Sequence, residues 1–313
     1  MFERAAVLGA TGPTGKFLVR ELIVRRVPVR AVSRSEANLA RAFGALKVER
    51  VVTDLLDAEA TRRAIEGCDL VFDCIGLPMD RMADHPWTAK NIASAIASTG
   101  ARCMQVSGYW AYIPIQRNPV SEDHPRVNGS TPARMRREAE DILLAAGGAV
   151  ANLPDFYGPE VHTSTLQQAL IDALAGRTVN WIGSIETPRE YVYVPDAMKA
   201  VAALALREEA YGGLWIVPGA GPIPLRKVLE IAGQHLGRRL KARAAGPLML
   251  RLVGLFVRQL REFMPMVPTY LAPISFDASK LRALIGDIPT TPYEEAIPIT
   301  LDWLARQDRL FPS

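Results

Sequence analysis

The stretch Ala5-Ala-Val-Leu-Gly9-Ala-Thr-Gly12-Pro-Thr-Gly15 combines a short apolar run with three glycines, and a helical pattern follows it. Residues 5–8 predict a buried strand, and residues 14–24 place Phe17, Leu18 and Leu22 on one helix face. A glycine-rich turn between a strand and a helix is typical of proteins that bind a dinucleotide. The sequence therefore predicts a βαβ unit whose first turn binds phosphate groups, with an ordinary strand–helix turn as the alternative.

Each glycine of this turn has its own expected role. Gly9 permits the tight turn, Gly12 lets the backbone approach a pyrophosphate, and Gly15 lets the helix pack close to the strand. The N-terminus of the helix offers N–H groups and a partial positive charge to the phosphates. The predicted cofactor-binding residues of the turn are Gly9, Thr11, Gly12, Pro13, Thr14 and Gly15.

The first half of the chain repeats the alternation of strand and helix. Strands are predicted at residues 29–33, 48–53, 70–75, 102–107 and 149–153, with helices at 58–66, 87–98 and 132–146 and a further helix that Ser35 caps. This spacing predicts an α/β fold with a doubly wound parallel sheet of the Rossmann type. We expect an NAD(P)-binding Rossmann domain over residues 1–160. Residues 161–313 are expected to form a smaller, mainly helical substrate-binding region, from which some strands and helices return to the main sheet.

Composition and charge exclude several classes of protein. At 49% hydrophobic and 22% charged residues, the 313-residue chain has the composition of a globular protein. Its longest apolar runs are about seven residues, far below the ~20 of a membrane span, and its N-terminus predicts no signal peptide. The 37 basic residues are offset by 33 acidic ones and form no block typical of nucleic-acid binding. Three apolar-flanked cysteines and four scattered histidines predict reduced thiols, no metal site and a cytoplasmic location.

Several later segments follow the glycine turn in a fixed order. They are Asp54-Leu55, Gln105-Val-Ser107, Leu153-Pro-Asp-Phe-Tyr-Gly-Pro159, Glu190-Tyr-Val-Tyr-Val-Pro-Asp196, Phe276-Asp-Ala-Ser-Lys280 and Pro289-Thr-Thr-Pro292. Together with the GxxGxxG spacing, they resemble the short-chain dehydrogenase/reductase superfamily in its extended and atypical branch, which includes NAD-dependent epimerases and dehydratases. The resemblance covers almost the whole chain and implies that Asp54 and Leu55 contact adenine. It also implies that Pro154 and the residues after it line the nicotinamide end.

The complete set of predicted cofactor residues extends beyond the turn. Besides the turn residues, it contains Ser33, Arg34, Asp54, Leu55, Ile75, Gly76, Ser107, Arg136, Pro154, Phe156 and Tyr157. The second strand ends in Ser33-Arg34, without the acid that would bind the ribose 2′-hydroxyl of NAD. A hydroxyl and a guanidinium suit a 2′-phosphate, although Glu36 is close and Arg34 as a solvated side chain is the alternative. The prediction is NADP, with NAD as the second choice.

The catalytic pattern of the family is not complete in this chain. Relatives that transfer hydride carry a Tyr-x-x-x-Lys pair on the helix after the fifth strand. Aligning the family's trailing glutamate with Glu140 places Arg136 at the lysine and Pro132 at the tyrosine. Proline cannot exchange a proton, and arginine is a poor acid or base. We expect Tyr109, Ser107 and Arg136 to be catalytic, with Tyr109 as the acid and Arg136 as its electrostatic support.

Packing beside Trp110 is the alternative for Tyr109 and also for Tyr112. The predicted substrate-facing residues are Tyr112, His85 and His162. The alternative is core packing for Tyr112, packing or capping at the helix start for His85, and a surface position for His162. We expect surface positions for His124 and His235 and an ion pair between Arg189 and Glu190. Residues 247–265 form a strongly apolar predicted helix, which favours an apolar or polycyclic carbonyl substrate over a nucleotide sugar. Core packing or a membrane-surface contact are its other interpretations.

The expected function is that of an NADP-dependent oxidoreductase that acts on a small, apolar carbonyl or hydroxyl compound with a non-standard acid/base residue. One alternative is a non-redox isomerase, dehydratase or cyclase that retains bound NAD(P). The other is an inactive NAD(P)-sensing regulator. A small-molecule substrate is the expected partner, without nucleic acid or integral membrane contact. A homodimer through Ile92, Ile96 and Leu143 is an option, as is a core position for these residues.

Overall fold

A seven-stranded sheet lies at the centre of the computed structural model, which describes residues 3–127, 129–246 and 263–307. Its strands are β1 (Ala5–Leu8), β2 (Val29–Ser33), β3 (Glu49–Val52), β4 (Leu70–Asp73), β5 (Arg102–Gly108), β6 (Ala149–Leu153) and β10 (Leu214–Ile216). In space they follow the order β3-β2-β1-β4-β5-β6-β10, and every neighbouring pair is parallel. The predicted doubly wound parallel sheet is confirmed.

Helices cover both faces of this sheet. The helices α1 (Pro13–Val24), α2 (Glu36–Phe43) and α7 (Val194–Ala205) bury apolar side chains on one face. The helices α3 (Ala58–Ile65), α4 (Asp84–Thr99) and α5 (Thr131–Ala145) do so on the other. Ile92, Ile96 and Leu143 belong to this second core and are at most 4% exposed, so these three residues do not form a dimer surface.

The second half of the chain adds two small sheets and a further helical layer. Strands β7 (Asp155–Tyr157), β9 (Arg189–Tyr193) and β11 (Pro222–Ile223) form one sheet, and β8 (Val179–Ile182) pairs with β12 (Ala242–Ala245). The helices are α6 (Thr165–Leu174), α8 (Leu225–Leu236), α9 (Val267–Tyr270), α10 (Ser279–Ile285) and α11 (Tyr293–Ala305). Of the elements after residue 160, β10 lies in the main sheet and α7 packs on its face. The helices α6, α8 and α11 enclose a separate apolar core with the small sheets.

The strands β11 and β12 were not expected in the segment after residue 219. The sequence of β12, Ala-Arg-Ala-Ala, carries no strand signal, and it is extended because it pairs along its whole length with β8.

Among the helices that the structure describes, none is long and apolar enough to cross a membrane. Residues 247–262 of the predicted apolar helix lie outside the described residues. Cys68, Cys74 and Cys103 are buried free thiols, as predicted.

Candidate cofactor and active site

The glycine turn joins β1 to α1 at the carboxyl end of the sheet, where open α/β sheets bind ligands. Gly9 has a φ of 72°, and a Cβ there would lie 2.8 Å from the Cys74 carbonyl oxygen. A Cβ on Gly15 would lie 2.5 Å from the Gly9 carbonyl oxygen, so only glycine allows α1 to pack this close. At Gly12, by contrast, the nearest atom to a Cβ is 3.4 Å away. The space above Gly12 is open to a ligand at the N-terminus of α1, which Pro13 begins.

Helix α1 also holds the loop that follows β7. Lys16 Nζ lies 2.7 Å from one carboxylate oxygen of Glu160, and Arg20 Nη2 lies 3.2 Å from the other. Glu160 has a φ of 67°, a left-handed conformation that non-glycine residues adopt infrequently. Helix α1 and the segment around Pro159 are therefore joined by two ion pairs.

The end of β2 carries a hydroxyl pair and an available guanidinium. The Thr11 and Ser33 hydroxyls lie 2.9 Å apart, which ties the glycine turn to the tip of β2. Arg34 is exposed and forms no hydrogen bond or ion pair with any residue that the structure describes. Glu36 begins α2 and lies 4.0 Å from Arg50, so its neighbouring cation is not Arg34. The site thus offers Arg34 to an anion such as a 2′-phosphate.

Two further predicted cofactor segments lie just beyond β3 and β4. Asp54 is exposed, and its Oδ1 accepts a hydrogen bond of 3.2 Å from the Leu56 N–H. Leu55 is buried, and its carbonyl accepts a hydrogen bond from the Asn91 side chain. After β4, the Ile75 N–H donates to Asp73, and a Cβ on Gly76 would have no atom within 4 Å. Both segments border the same edge of the sheet as the glycine turn.

A buried polar cluster lies beneath this edge, between the main sheet and the helices α4 and α5. Asp73 accepts a hydrogen bond from Gln105 at 3.0 Å, and burial raises the pKa of this carboxyl. Arg136 lies in the electrostatic field of Asp73 and Glu140, and burial lowers its pKa. The Arg136 guanidinium forms no hydrogen bond with any described residue. A cation therefore stands where the family resemblance expects the lysine, with its donors available to a ligand.

His85 belongs to the same cluster. It lies in the first turn of α4, is 2% exposed, and its Nε2 has no hydrogen-bond partner among the described residues. Burial, aided by the nearby Arg136, lowers the pKa of His85 to about 2, so the imidazole is neutral at physiological pH. His85 thus contributes an uncharged donor or acceptor, and no cation, to this part of the protein.

Ser107 is held by a carboxyl group whose role the sequence did not reveal. Its hydroxyl donates a hydrogen bond of 2.6 Å to Glu140, and the other oxygen of Glu140 lies 2.8 Å from Arg126. Burial raises the pKa of Glu140 to about 7, against the opposing effects of Arg126 and Ser107. Glu140 entered the sequence argument only as an alignment marker. Its position four residues after Arg136, on the same helix face, was the available signal.

Tyr109 lies in a short 3₁₀ turn directly after β5 and is 1% exposed. Its hydroxyl accepts a hydrogen bond from Arg189 Nη2 at 3.0 Å and donates to Asp155 Oδ2 at 3.4 Å. The expectation that Arg136 supports Tyr109 is therefore wrong, because Arg189 is the cation in contact with this hydroxyl. Burial nevertheless raises the pKa of Tyr109 well above its usual range, so the phenol stays protonated at neutral pH.

Arg189 and Glu190 do not form the expected ion pair. They are successive residues of a strand, so their side chains point to opposite faces of the small sheet. Arg189 Nη1 donates to the backbone carbonyls of Thr269 and Ala272 at 2.6 and 2.9 Å. The two oxygens of Glu190 accept from the N–H groups of Gly219 and Phe276 at 2.7 and 2.9 Å.

Asp155 completes the surroundings of Tyr109. It accepts a hydrogen bond of 3.3 Å from the Tyr270 hydroxyl on its second oxygen, and the Arg189 guanidinium lies 4.7 Å from the centre of the Tyr270 ring. Asp155, Arg189 and Tyr270 were not among the predicted site residues. Asp155 carried a signal, because it stands inside the segment that resembles the nicotinamide-lining motif, and Arg189 carried one because it directly precedes the family-like segment 190–196.

The other predicted residues occupy varied positions. Tyr112 is fully buried edge-on against His124, and its hydroxyl has no partner in the described part of the chain. The expected surface position of His124 is wrong, since it is 2% exposed and its Nε2 accepts a hydrogen bond from the Gln116 N–H. His162 is exposed against Trp303, and His235 binds Asp302 at 2.7 Å. Of the predicted nicotinamide-lining residues, Pro154 and Tyr157 are buried and Phe156 is half-buried.

Comparisons with known proteins agree with this geometry. A family model described as NAD(P)H-binding matches residues 9–147. The chain is 26% identical over 310 residues to a 4-hydroxy-2-methyl-3-oxo-4-farnesyl-3,4-dihydroquinoline-1-oxide ketoreductase of Stigmatella aurantiaca, covering 90% of this chain and 91% of the relative. It is 24% identical to sterol demethylase protein B of Methylococcus capsulatus, covering 91% and 93%. A dTDP-glucose 4,6-dehydratase of Bacillus anthracis, solved with NAD, superimposes with a TM-score of 0.81 at 13% identity, covering 98% of both chains.

The matched segment runs from the glycine turn through α5 and therefore includes the predicted phosphate site and the buried cluster around Arg136. The superposition extends over nearly the whole chain, including the small sheets and the helices of the second half. Residues 9–147 thus match a family described as NAD(P)H-binding, and the chain shares its fold with the dTDP-glucose 4,6-dehydratase.

Proposed function

We propose that the protein is an NADP-dependent oxidoreductase that reduces a carbonyl group on a large apolar molecule. The observation that carries this proposal is the Tyr109 hydroxyl, a protonated phenol held by Arg189 and Asp155 directly after β5. It supplies the acid that Pro132 cannot supply. In this assignment residues 1–160 bind the cofactor and residues 161–313 complete the substrate site.

The residues present fit a bound NADP. The open space at Gly12 fits a pyrophosphate, which the N–H groups at the start of α1 would bind. Arg34, free of protein partners among the described residues, would bind the 2′-phosphate, and Arg136 would hold the nicotinamide-side ribose. Bound NADPH would supply a hydride. NADP is favoured over NAD because the tip of β2 carries Ser33 and Arg34 and no acid.

Tyr109 is suited to act as an acid rather than as a base. Because burial keeps the phenol protonated, its proton, which makes only a long hydrogen bond of 3.4 Å to Asp155, can be given instead to the oxygen of a carbonyl group that receives a hydride. The phenolate left behind would be stabilised by the Arg189 guanidinium at 3.0 Å. Ser107 donates to Glu140 instead, so it has a structural role in this assignment. The arrangement favours reduction over oxidation of the substrate.

The surroundings of Tyr109 favour an apolar substrate. Tyr109 packs edge-on against Phe276, with ring centres 5.6 Å apart, in an apolar cluster that also contains Ile113, Ile274 and Met266. The names of the two relatives specify a farnesyl-bearing dihydroquinoline oxide and a sterol. We infer an isoprenoid-bearing or polycyclic ketone as the substrate class. We further propose a cytoplasmic protein without nucleic-acid partners, in which any homodimer uses surfaces other than Ile92, Ile96 and Leu143.

The test is NADPH oxidation in the presence of a sterol ketone or a farnesylated quinolone ketone, followed at the nicotinamide absorbance band. Tyr109→Phe should lower kcat by roughly 10²–10⁴-fold, the usual contribution of a positioned acid, and leave the Kd for NADPH unchanged. Tyr211→Phe is the matched control, because among the described residues its hydroxyl hydrogen-bonds the Ala205 carbonyl alone, at a distant site. An unchanged rate in Tyr109→Phe would refute the assignment.

Two other outcomes of this assay correspond to different functions. Consumption of substrate without any net change in nicotinamide absorbance would indicate an isomerase, dehydratase or cyclase. Tight NADPH binding without turnover of either ketone class would indicate an NAD(P)-sensing regulator.

A further inference from the structure

We propose that the surface around β12 docks on an anionic lipid bilayer, so that the protein lies on the membrane without crossing it. This surface has two parts, a cationic edge formed by residues 238–243 and an uncharged wall formed by residues 263–273. Docking of this kind is independent of the reduction proposed above. It would give the enzyme direct access to apolar ketones, which collect in lipid rather than in water.

The cationic edge concentrates four basic residues within six positions, Arg238-Arg-Leu-Lys-Ala-Arg243. Arg239, Lys241 and Arg243 are exposed and form no ion pair or hydrogen bond with any residue that the structure describes. Arg238 instead donates to two backbone carbonyls at the C-terminal end of α6. Three cations are therefore available to an anionic partner.

Neighbouring acids do not neutralise these three cations. The acidic residues of α6, of α8 and of the loop after β8 each have a basic partner, in the pairs Asp172–Arg177, Glu230–Lys227 and Glu186–Arg226. Residues 247–262, which follow in the chain, contain three arginines and one glutamate. The charge that this part of the protein presents is therefore positive, which favours an anionic partner.

The cationic edge continues directly into the uncharged wall. Lys241 and Arg243 point to one side of the extended backbone, because side chains alternate along a strand. Ala245 is the next residue on that side, is 5% exposed and packs against Val267 of the wall. Cations and apolar side chains thus lie next to one another.

The uncharged wall indicates lipid as the partner. No acidic or basic residue occurs from Phe263 to Pro273, and Phe263, Met264 and Leu271 are half-buried while Pro265 is exposed. Apolar side chains beside Lys and Arg are typical of proteins that lie on anionic membranes, where the apolar groups enter the headgroup region. Nucleic acids also attract cations through their phosphates, but they offer an apolar wall no comparable interior.

The wall also reaches the candidate active site. The Phe263 ring centre lies 5.1 Å from that of Tyr270, whose hydroxyl donates a hydrogen bond to Asp155. Asp155 accepts its other hydrogen bond from Tyr109. A molecule that leaves the bilayer at the wall would therefore arrive beside the proposed acid.

Co-sedimentation with vesicles tests the docking, using the full chain without cofactor or ketone. Vesicles of phosphatidylcholine and phosphatidylglycerol in equal amounts should bind the wild type, and vesicles of phosphatidylcholine alone should not. Replacing Arg239, Lys241 and Arg243 together by alanine should weaken binding roughly 100-fold, because each basic residue near such a surface contributes about a fivefold factor. High salt should weaken binding of the wild type, since it screens the charges.

The matched control replaces Arg26, Arg41 and Lys47 together by alanine. These are three exposed cations between α1 and β3, without ion pairs among the described residues. The control loses the same charge and should bind vesicles as the wild type does, and both triple variants should keep the wild-type Tm.

Three outcomes would overturn the proposal. They are equal losses of binding in the two triple variants, wild-type binding that ignores salt and phosphatidylglycerol, and equally tight binding of duplex DNA through the same three cations. The salt and lipid dependence of the wild type gives an answer even if a variant fails to fold. Because no turnover is measured, failure of the proposed reduction would leave this test unaffected.

Discussion

Gly12→Ala should separate cofactor binding from folding. The backbone of Gly12 has a φ of −73°, which alanine adopts without strain, and a new Cβ would meet no protein atom closer than 3.4 Å. The methyl group would, however, enter the space proposed for the pyrophosphate. Carbon keeps non-bonded atoms about 3.5 Å away, whereas an N–H···O bond needs a distance of about 3 Å. The phosphate oxygens would therefore be pushed out of hydrogen-bond range of the turn.

The loss can be put into numbers. A hydrogen bond to a charged group contributes about 1.5–3 kcal/mol, so losing one such bond should raise the Kd for NADPH by roughly 10–100-fold. The free energy of unfolding should stay unchanged or rise slightly, because alanine restricts the unfolded chain. Titration of the nicotinamide fluorescence measures the Kd, and a thermal scan without cofactor measures Tm.

Gly15→Ala is the matched control, because it should lower the stability of the protein even without a bound ligand. Its Cβ would lie 2.5 Å from the Gly9 carbonyl oxygen and 2.7 Å from the Ala10 Cα, so the backbone must move. Overpacking of this type costs about 1–3 kcal/mol, which lowers Tm even without ligand. If Gly12→Ala bound NADPH as tightly as the wild type, or lost as much Tm as Gly15→Ala, the assignment of the turn would be refuted.

Two further predictions concern cofactor choice and pH. Arg34→Ala should raise the Kd for NADPH about tenfold and leave the Kd for NADH unchanged, since only NADPH carries the 2′-phosphate. Parallel titrations with the two cofactors measure both Kd values. Equal effects on both would contradict the NADP assignment. The pKa of Glu140, raised from its ordinary 4.5 to about 7, means that the folded state binds this proton more tightly than the unfolded state. The stability that comes from protonated Glu140 is complete below pH ~4.5 and is lost as the pH rises through ~7. The Tm of the wild type relative to that of Glu140→Gln should therefore fall between these two pH values. A constant Tm difference between the two proteins from pH 4.5 to 7.5 would contradict the raised pKa.

The parts of the fold that depend on local signals could be predicted from the sequence. The glycine turn, the strands β1 and β2, and the helix that Ser35 caps all depend on neighbouring residues, and the Ser35 hydroxyl accepts the expected hydrogen bond from the Asn38 N–H. The strands β8 and β12 could not be predicted in this way. Their pairing joins residues about sixty positions apart, and neither carries a clear pattern of its own.

The same distinction applies to the candidate site. Tyr109 could be singled out because it lies in the loop just after a predicted strand, residues 102–107. Its cation could not, because Arg189 lies 80 residues away in the chain and reaches Tyr109 only through the packing of the small sheet against the turn after β5. His124 was misplaced for a related reason, since its burial depends on Tyr112 and on the backbone of Gln116.

The two ion pairs of Glu160 have a consequence for how the halves of the protein communicate. Glu160 is bound by Lys16 and Arg20, one and two turns into the helix whose N-terminus would hold the pyrophosphate. Any shift of α1 on cofactor binding would be transmitted to the segment after Pro159, which leads into the second half. Binding at the two sites is then thermodynamically linked, so cofactor must change substrate affinity by the same factor as substrate changes cofactor affinity. The strength of this coupling would then depend on one carboxylate at the junction, that of Glu160.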